Sequence, residues 1–291
     1  MNSDLFELVK KADQLLARLE NWLPPTLKEP DWSASIAFRY RRLHHGHVLL
    51  PVRQVATIRL SDLVEVDTQK ERLVTNTAHF VSGKPANHVL LTGARGTGKS
   101  SLIKACLNEF SAQGLRLIEV DKTDLADLPD IVEQLAVRPE RFIIYCDDLS
   151  YEKGEPGYKE LKSVLDGSVA QASDNLLIYA TSNRRHLLPE CLQDNLSYHT
   201  TEQGDIHPGE VVEEKMSLSE RFGLWISFYP FSQDEYLSVV KHWLQYFNPD
   251  FEGLERPLVH QEALVWSLER GSRSGRVAFQ FAKDFTARRV S

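Results

Sequence analysis

The chain has 291 residues, 42% of them hydrophobic and 26% charged, enough for one large core with a smaller unit attached. Its formal net charge of −7 excludes wrapping nucleic acid with the whole surface and leaves only a local basic stripe for that purpose. No run approaches the roughly 20 apolar residues of a membrane span, the first residues lead into no secretory core, and Cys106, Cys146 and Cys191 are too scattered for a disulfide or zinc framework, so a cytoplasmic protein with reduced thiols is expected.

Leu5, Leu8, Val9, Ala12, Leu15, Leu16, Leu19 and Leu23 recur at three- and four-residue steps. This spacing predicts a one-faced helix that Pro24 and Pro25 end, with an apolar face that must pack on its own domain or on a partner. Residues Trp32 to Arg53 show no regular period. There Arg39, Arg41 and Arg42 interleave with Phe38 and Tyr40, which fits a solvated surface with internal contacts, or alternatively a short strip holding nucleic acid by charge and stacking. The first of these is preferred, because one short cluster is a weak signal. His44, His45 and His47 have no acidic or cysteine neighbour to complete a metal site.

From Ile58 onward the pattern becomes α/β. An amphipathic run reaches Phe80, and strands are expected at His88 to Thr92, Leu115 to Val120, Phe142 to Cys146, Leu176 to Ala180 and Leu224 to Phe228. Helical stretches lie between them, at Ser101 to Phe110, about Asp127 to Val137, and Tyr158 to Leu165. Alternation of this kind predicts a parallel sheet covered on both faces, with ligands at the carboxyl ends of its strands. After Pro230 only helical periods remain. Ser232 and Glu235 form a capping box opening a helix through Leu244, and two more helices follow, over Gln261 to Arg270 and Gly275 to Arg288. The organisation is therefore an N-terminal helix and basic, aromatic segment (1–55), an αβα core (56–230) and a helical lid (231–291).

Between the first expected strand and its helix stands Gly93-Ala94-Arg95-Gly96-Thr97-Gly98-Lys99-Ser100, a full match to the phosphate-cradling loop, followed by Ser101. Glycines let backbone amides turn inward around an anion, and the helix N-terminus adds its partial positive charge beneath. Lys99 is expected to reach the β and γ phosphates, and Ser100 to bind Mg²⁺. The strand at Phe142 ends in Asp147 and Asp148. Asp147 is expected to hold the metal and Asp148 to deprotonate the attacking water. The strand at Leu176 delivers Thr181, Ser182 and Asn183 to the same edge, where the Asn183 amide can hold that water without adding like charge. Arg221 precedes the last strand and is placed to reach a neighbouring subunit's nucleotide, while Arg276 opens the last helix and can fold back on the γ phosphate.

This ordered series resembles the AAA+ class of P-loop ATPases. More narrowly, the segments around Val120, Asp147, Asn183 and Arg221 resemble an uncharacterised bacterial AAA+-type ATP-binding family, classed as a domain of unknown function, over nearly the whole chain. The resemblance implies a P-loop NTPase three-layer αβα sandwich with a C-terminal helical lid, ATP and Mg²⁺ as ligands, and assembly into a homo-oligomer in the ATP state. It casts Gly98, Lys99, Ser100 and Asp147 as nucleotide and Mg²⁺ ligands, Asn183 as sensor 1, Arg221 as the arginine finger and Arg276 as sensor 2. One departure stands out: the usual Asp-Glu strand end is Asp147-Asp148, which shortens the base by a methylene. Glu152 in the following loop offers a substitute carboxylate.

The leading expectation is an ATPase acting on an unidentified protein or nucleic-acid client. A slow-turnover nucleotide-gated switch or loader is the alternative that Asp148 raises. A small-molecule P-loop kinase ranks last, since no acceptor lid is evident inside the core.

Overall fold

The computed structural model describes residues 30–43, 46–151, 157–167, 174–183, 199–200, 206–207, 218–250 and 256–288. The helix expected over Leu5 to Leu23, Cys191, Glu152 and most of the stretch 184–214 lie outside them. Strands β1 (Ala37–Leu43), β2 (Gly46–Pro51), β3 (Val89–Gly93), β4 (Leu115–Glu119), β5 (Arg141–Cys146), β6 (Leu176–Ser182) and, after the short pair β7 (His199–Thr200) and β8 (Ile206–His207), β9 (Leu224–Phe228) provide the sheet framework. The main sheet has seven strands in the order β2-β1-β4-β5-β6-β3-β9. All neighbours are parallel except the hairpin β1/β2.

Helices α1 (Asp67–Val81) and α2 (Lys99–Phe110) cover one face, and α3 (Leu128–Ala136) and α4 (Tyr158–Asp166) the other. Strand β3, flanked by β6 and β9, is apolar on both sides because both sides are covered: Val89, Leu90 and Leu91 are fully buried. The lid comprises α5 (Gln233–Phe247), α6 (Pro257–Glu269) and α7 (Gly275–Ala287). Its start is set by the capping box read from the sequence, with Glu235 N donating to Ser232 Oγ at 3.2 Å and Ser232 N to Glu235 Oε2 at 2.7 Å.

The stretch that has no regular period in the sequence is a correction: Trp32 to Arg53 contains the β1/β2 hairpin, which joins the sheet edge at β4. Its period-2 pattern is masked because the exposed stretch of β1 carries three arginines, two of them adjacent, whose partners are remote. Arg39 pairs with Glu119 (2.7 Å), Arg41 with Asp121 (3.1 Å) and Arg42 with Asp127 (2.5 Å), carboxylates 80 to 85 residues away. Phe38 and Tyr40 point into the core at 0% exposure, so neither ring can stack on a base. The nucleic-acid alternative for this segment therefore loses its aromatic half, and the internal contacts account for it.

Candidate nucleotide site

The parallel register assembles the site. Cys146 of β5 lies opposite Ala180 of β6, so one residue further Asp147 meets Thr181. Thr92 of β3 lies opposite Ser182, so Gly93 comes level with Asn183. The loop leaves β3 between β6 and β9, on the sheet's carboxyl edge and one strand in from its β9 end.

Gly93, Gly96 and Gly98 all take positive φ, of 128°, 76° and 105°. At Gly93 a Cβ would stand 1.9 Å from the Phe228 carbonyl oxygen, so only glycine lets β3 turn into the loop beside β9. Gly98 is the N-cap of α2, and the helix therefore begins directly under the loop. Lys99 is buried, and its amine donates to Gly93 O (2.8 Å), Ala94 O (2.7 Å) and Asn183 Oδ1 (3.1 Å). Burial lowers its pKa, against the pull of Asp147 and Asp148. Thr97 Oγ1 closes the loop on Ala94 O at 2.8 Å.

At the adjoining corner Asp147 Oδ1 accepts from Ser100 Oγ (2.8 Å), Thr181 Oγ1 (2.5 Å) and Asp148 N (3.2 Å). Although burial opposes its ionisation, hydrogen bonds from Thr181 and Ser100 hold the Asp147 carboxyl below the ordinary carboxylate range. Asp148 sits in the left-handed region at φ 51°, held there by its N–H donating to Thr181 Oγ1 at 2.9 Å. That backbone turns the short side chain inward: Oδ1 accepts from Asn183 Nδ2 at 2.5 Å, and Oδ2 lies 3.6 Å from the Arg95 guanidinium.

These residues line a cleft of about 880 Å³. Its phosphate end carries Arg95 to Ser101, Asp147, Asp148, Asn183 and Arg276, and its far end is apolar, with Ile58 and Val64 facing Phe231, Trp243 and Phe279 of the lid. Trp243 and Phe279 meet edge to face at 4.9 Å. The lid is seated on the loop itself: Arg276 N donates to Gly96 O at 3.3 Å, and a Cβ at Gly96 would come within 2.8 Å of Ser274 Oγ.

Of the residues singled out by sequence, the structure gathers Arg95 to Ser101, Asp147, Asp148, Asn183 and Arg276 around one cleft, with Gly93 and Ala94 behind it as the acceptors of Lys99. Arg221 stands apart, before β9 and away from the carboxyl edge, where it pairs with Asp166 at the end of α4. Two contributors were missed. Thr181, set aside in favour of Asn183, ties both aspartates together; a hydroxyl directly opposite Asp147 in the register was the signal. The aromatic lid wall gave no signal, because helical spacing of aromatics reads as ordinary core. Among the described residues no helix is long and apolar enough to cross a membrane, and no cluster of three metal-binding side chains exists.

The pattern of a family described as "Protein of unknown function (DUF815)" matches residues 33–289. The chain belongs to the DUF815 family. Among solved structures, this DUF815 chain is similar to the Thermotoga maritima RuvB Holliday junction branch migration motor, with a TM-score of 0.52 at 17% identity over 79% of this chain and 64% of that one. It is also similar to the Aeropyrum pernix ORC1 protein in complex with DNA, with a TM-score of 0.53 at 15% identity over 80% and 65% of the two chains. A Staphylothermus marinus replication factor C large subunit is 32% identical over 74 residues, 25% of this chain and 17% of the relative. The chain thus spans just under two thirds of these structures and a sixth of that relative. The fold is that of an AAA+ P-loop NTPase: a mostly parallel sheet flanked by helices, with a phosphate-type loop at the carboxyl end of the strand next to one edge.

Proposed function

We propose that this DUF815 chain binds ATP with Mg²⁺ and hydrolyses it, assembles with further copies in the ATP state, and works on a macromolecular client. The observation that carries this reading is the hydrogen-bonded series from Lys99 through Asn183 to Asp148, which joins three sequence-distant segments at the mouth of a glycine loop. The donor set also fits the cation, since Ser100 Oγ and Asp147 Oδ1 are 2.8 Å apart and offer a hydroxyl and an ionised carboxylate to one ion. When bound, Mg²⁺ supplies charge neutralisation on the phosphates.

The chain's own residues then divide the work. Lys99 exchanges the carbonyls of Gly93 and Ala94 for phosphate oxygens, and the arriving negative charge favours its protonated form. Asn183, already touching both Lys99 and Asp148, holds the attacking water, and Asp148 takes its proton. Arg276 adds positive charge from the lid, close enough for its charge to be felt at Lys99. The base rests in the apolar end between Ile58 and the lid aromatics. Arg221, remote from its own cleft, acts on a neighbour's nucleotide.

Phosphate release by the wild type, compared with Lys99→Ala and Asp148→Asn, tests the reading. Both variants should lose turnover and Lys99→Ala should also lose nucleotide affinity; wild-type ADP formation that needs a small acceptor and releases no phosphate would mean a kinase instead. A second reading, a slow nucleotide-gated switch, draws on one observation: the Asp148 carboxylate is engaged by both Asn183 and Arg95. It predicts tight ATP retention with little phosphate released.

A further inference from the structure

Tyr145 lies in β5, two residues before Asp147, and points to the sheet face covered by α1 and α2. It is 1% exposed, its hydroxyl is fully enclosed, and among the described residues that hydroxyl makes no hydrogen bond of normal length and angle. A buried hydroxyl without a partner is costly, and phenylalanine would fill the same space without that cost. The packing therefore does not explain the phenol.

Its surroundings do. The polar groups it faces are Ser100 and Asp147, the latter two residues on and so on the same side of the strand. The hydrogen bonds to the Asp147 carboxylate from Ser100, Thr181 and the Asp148 amide all fall on Oδ1. Among the described residues, none of these three donors engages Oδ2. A carboxylate that must turn to share a cation with Ser100 has a donor for one oxygen and needs an anchor for the other. Metal-ligating carboxylates are commonly fixed by such an outer hydrogen bond.

We propose that Tyr145 is a positioning residue for the divalent cation, its phenol donating to the Asp147 carboxylate when Asp147 and Ser100 engage the ion. This rests on the nucleotide reading above. The role explains why a polar ring end is kept in an otherwise apolar strand, and why it lies one step behind the ligand rather than in the cleft. It also separates the two oxygens of Asp147: Thr181 fixes Oδ1 and Tyr145 fixes Oδ2.

The test is binding of a fluorescent ATP analogue titrated with Mg²⁺, for wild type and Tyr145→Phe, with a second titration in EDTA and thermal melts of both proteins without nucleotide. The expected result is a rise of about tenfold in the Mg²⁺ concentration for half-maximal binding, with unchanged affinity in EDTA and a melting temperature equal to or above that of wild type. Superimposable Mg²⁺ titrations overturn the proposal, as does a lowered melting temperature with an unchanged titration, which makes the phenol a packing group. Failure of the wild type itself to bind the analogue, with or without Mg²⁺, overturns the nucleotide reading and this proposal with it, so the two failures are distinguishable.

Discussion

Asp148 is where sequence and geometry give opposite expectations for one substitution. The sequence treats it as a glutamate shortened by a methylene, so that Asp148→Glu should restore a full-length base and speed turnover. The geometry treats it as fitted. At φ 51° the residue occupies a region that Asp and Asn enter more readily than Glu, a difference of up to about 1 kcal/mol. Its carboxylate already reaches Asn183 at 2.5 Å. An added methylene carries the oxygens past that amide, and a displacement of about 1 Å in a catalytic group costs on the order of 100-fold in rate. Asp148→Glu is therefore expected to lower turnover and slightly lower the melting temperature. Asp148→Asn keeps the shape and the left-handed backbone, loses the exposed pairing with Arg95, which is worth little, and removes the base. It should melt within a degree or two of wild type while turnover falls about 100-fold or more. Steady-state phosphate release with parallel melts measures both. Faster turnover in Asp148→Glu refutes the fitted-base reasoning, and wild-type turnover in Asp148→Asn removes Asp148 from proton transfer altogether.

Other substitutions probe the lid, the finger and the fold. Gly96→Ala places a Cβ 2.8 Å from Ser274 Oγ at φ 76°, so the lid must lift from the loop; nucleotide affinity should drop by about tenfold or more in a binding titration, while secondary structure by circular dichroism stays unchanged. Arg221→Ala should leave nucleotide affinity intact yet lower turnover, and mixing it with Lys99→Ala should recover part of the activity, since each supplies what the other lacks across an interface; mixtures no more active than their components count against action in trans. His88, whose Nδ1 accepts from Ile178 N at 3.0 Å, has its pKa lowered to about 4 by burial. The unfolded chain takes up that proton first, so the stability from neutral His88 is complete above about pH 6.5 and is lost as pH falls toward 4, on the order of 3 kcal/mol in all. Denaturant midpoints should fall over that window in wild type and fall less in His88→Asn; parallel profiles would mean other groups carry the acid sensitivity.

The parallel core and most of its boundaries were legible because each signal was local. The apolar runs of β3, β5 and β6 are buried on both faces, and the glycine loop and the capping box at Ser232 carry their geometry in a few adjacent residues. The hairpin was not legible, because Arg39, Arg41 and Arg42 look solvated until carboxylates 80 to 85 residues away neutralise them. The site divides along the same line. Lys99, Ser100, Asp147 and Asn183 follow from a motif or a strand end, whereas the tie made by Thr181 depends on register between β5 and β6, which no single segment contains.

That dependence on register bears on how the site can be tuned. Thr181 Oγ1 donates to Asp147 Oδ1 and accepts from the Asp148 amide, so one hydroxyl fixes both the orientation of the Asp147 carboxylate and the left-handed backbone of Asp148. Losing it leaves Asp147 Oδ1 with Ser100 as its side-chain donor among the described residues and releases the amide that holds Asp148 at positive φ. Thr181→Val, close in shape, should therefore weaken Mg²⁺ dependence and turnover together, whereas Asn183→Ala should lower turnover alone. Mg²⁺ titrations of nucleotide binding beside phosphate-release rates separate the two. Equal Mg²⁺ dependence in Thr181→Val and wild type would show that Ser100 suffices to orient Asp147, and that the hydroxyl serves the base only.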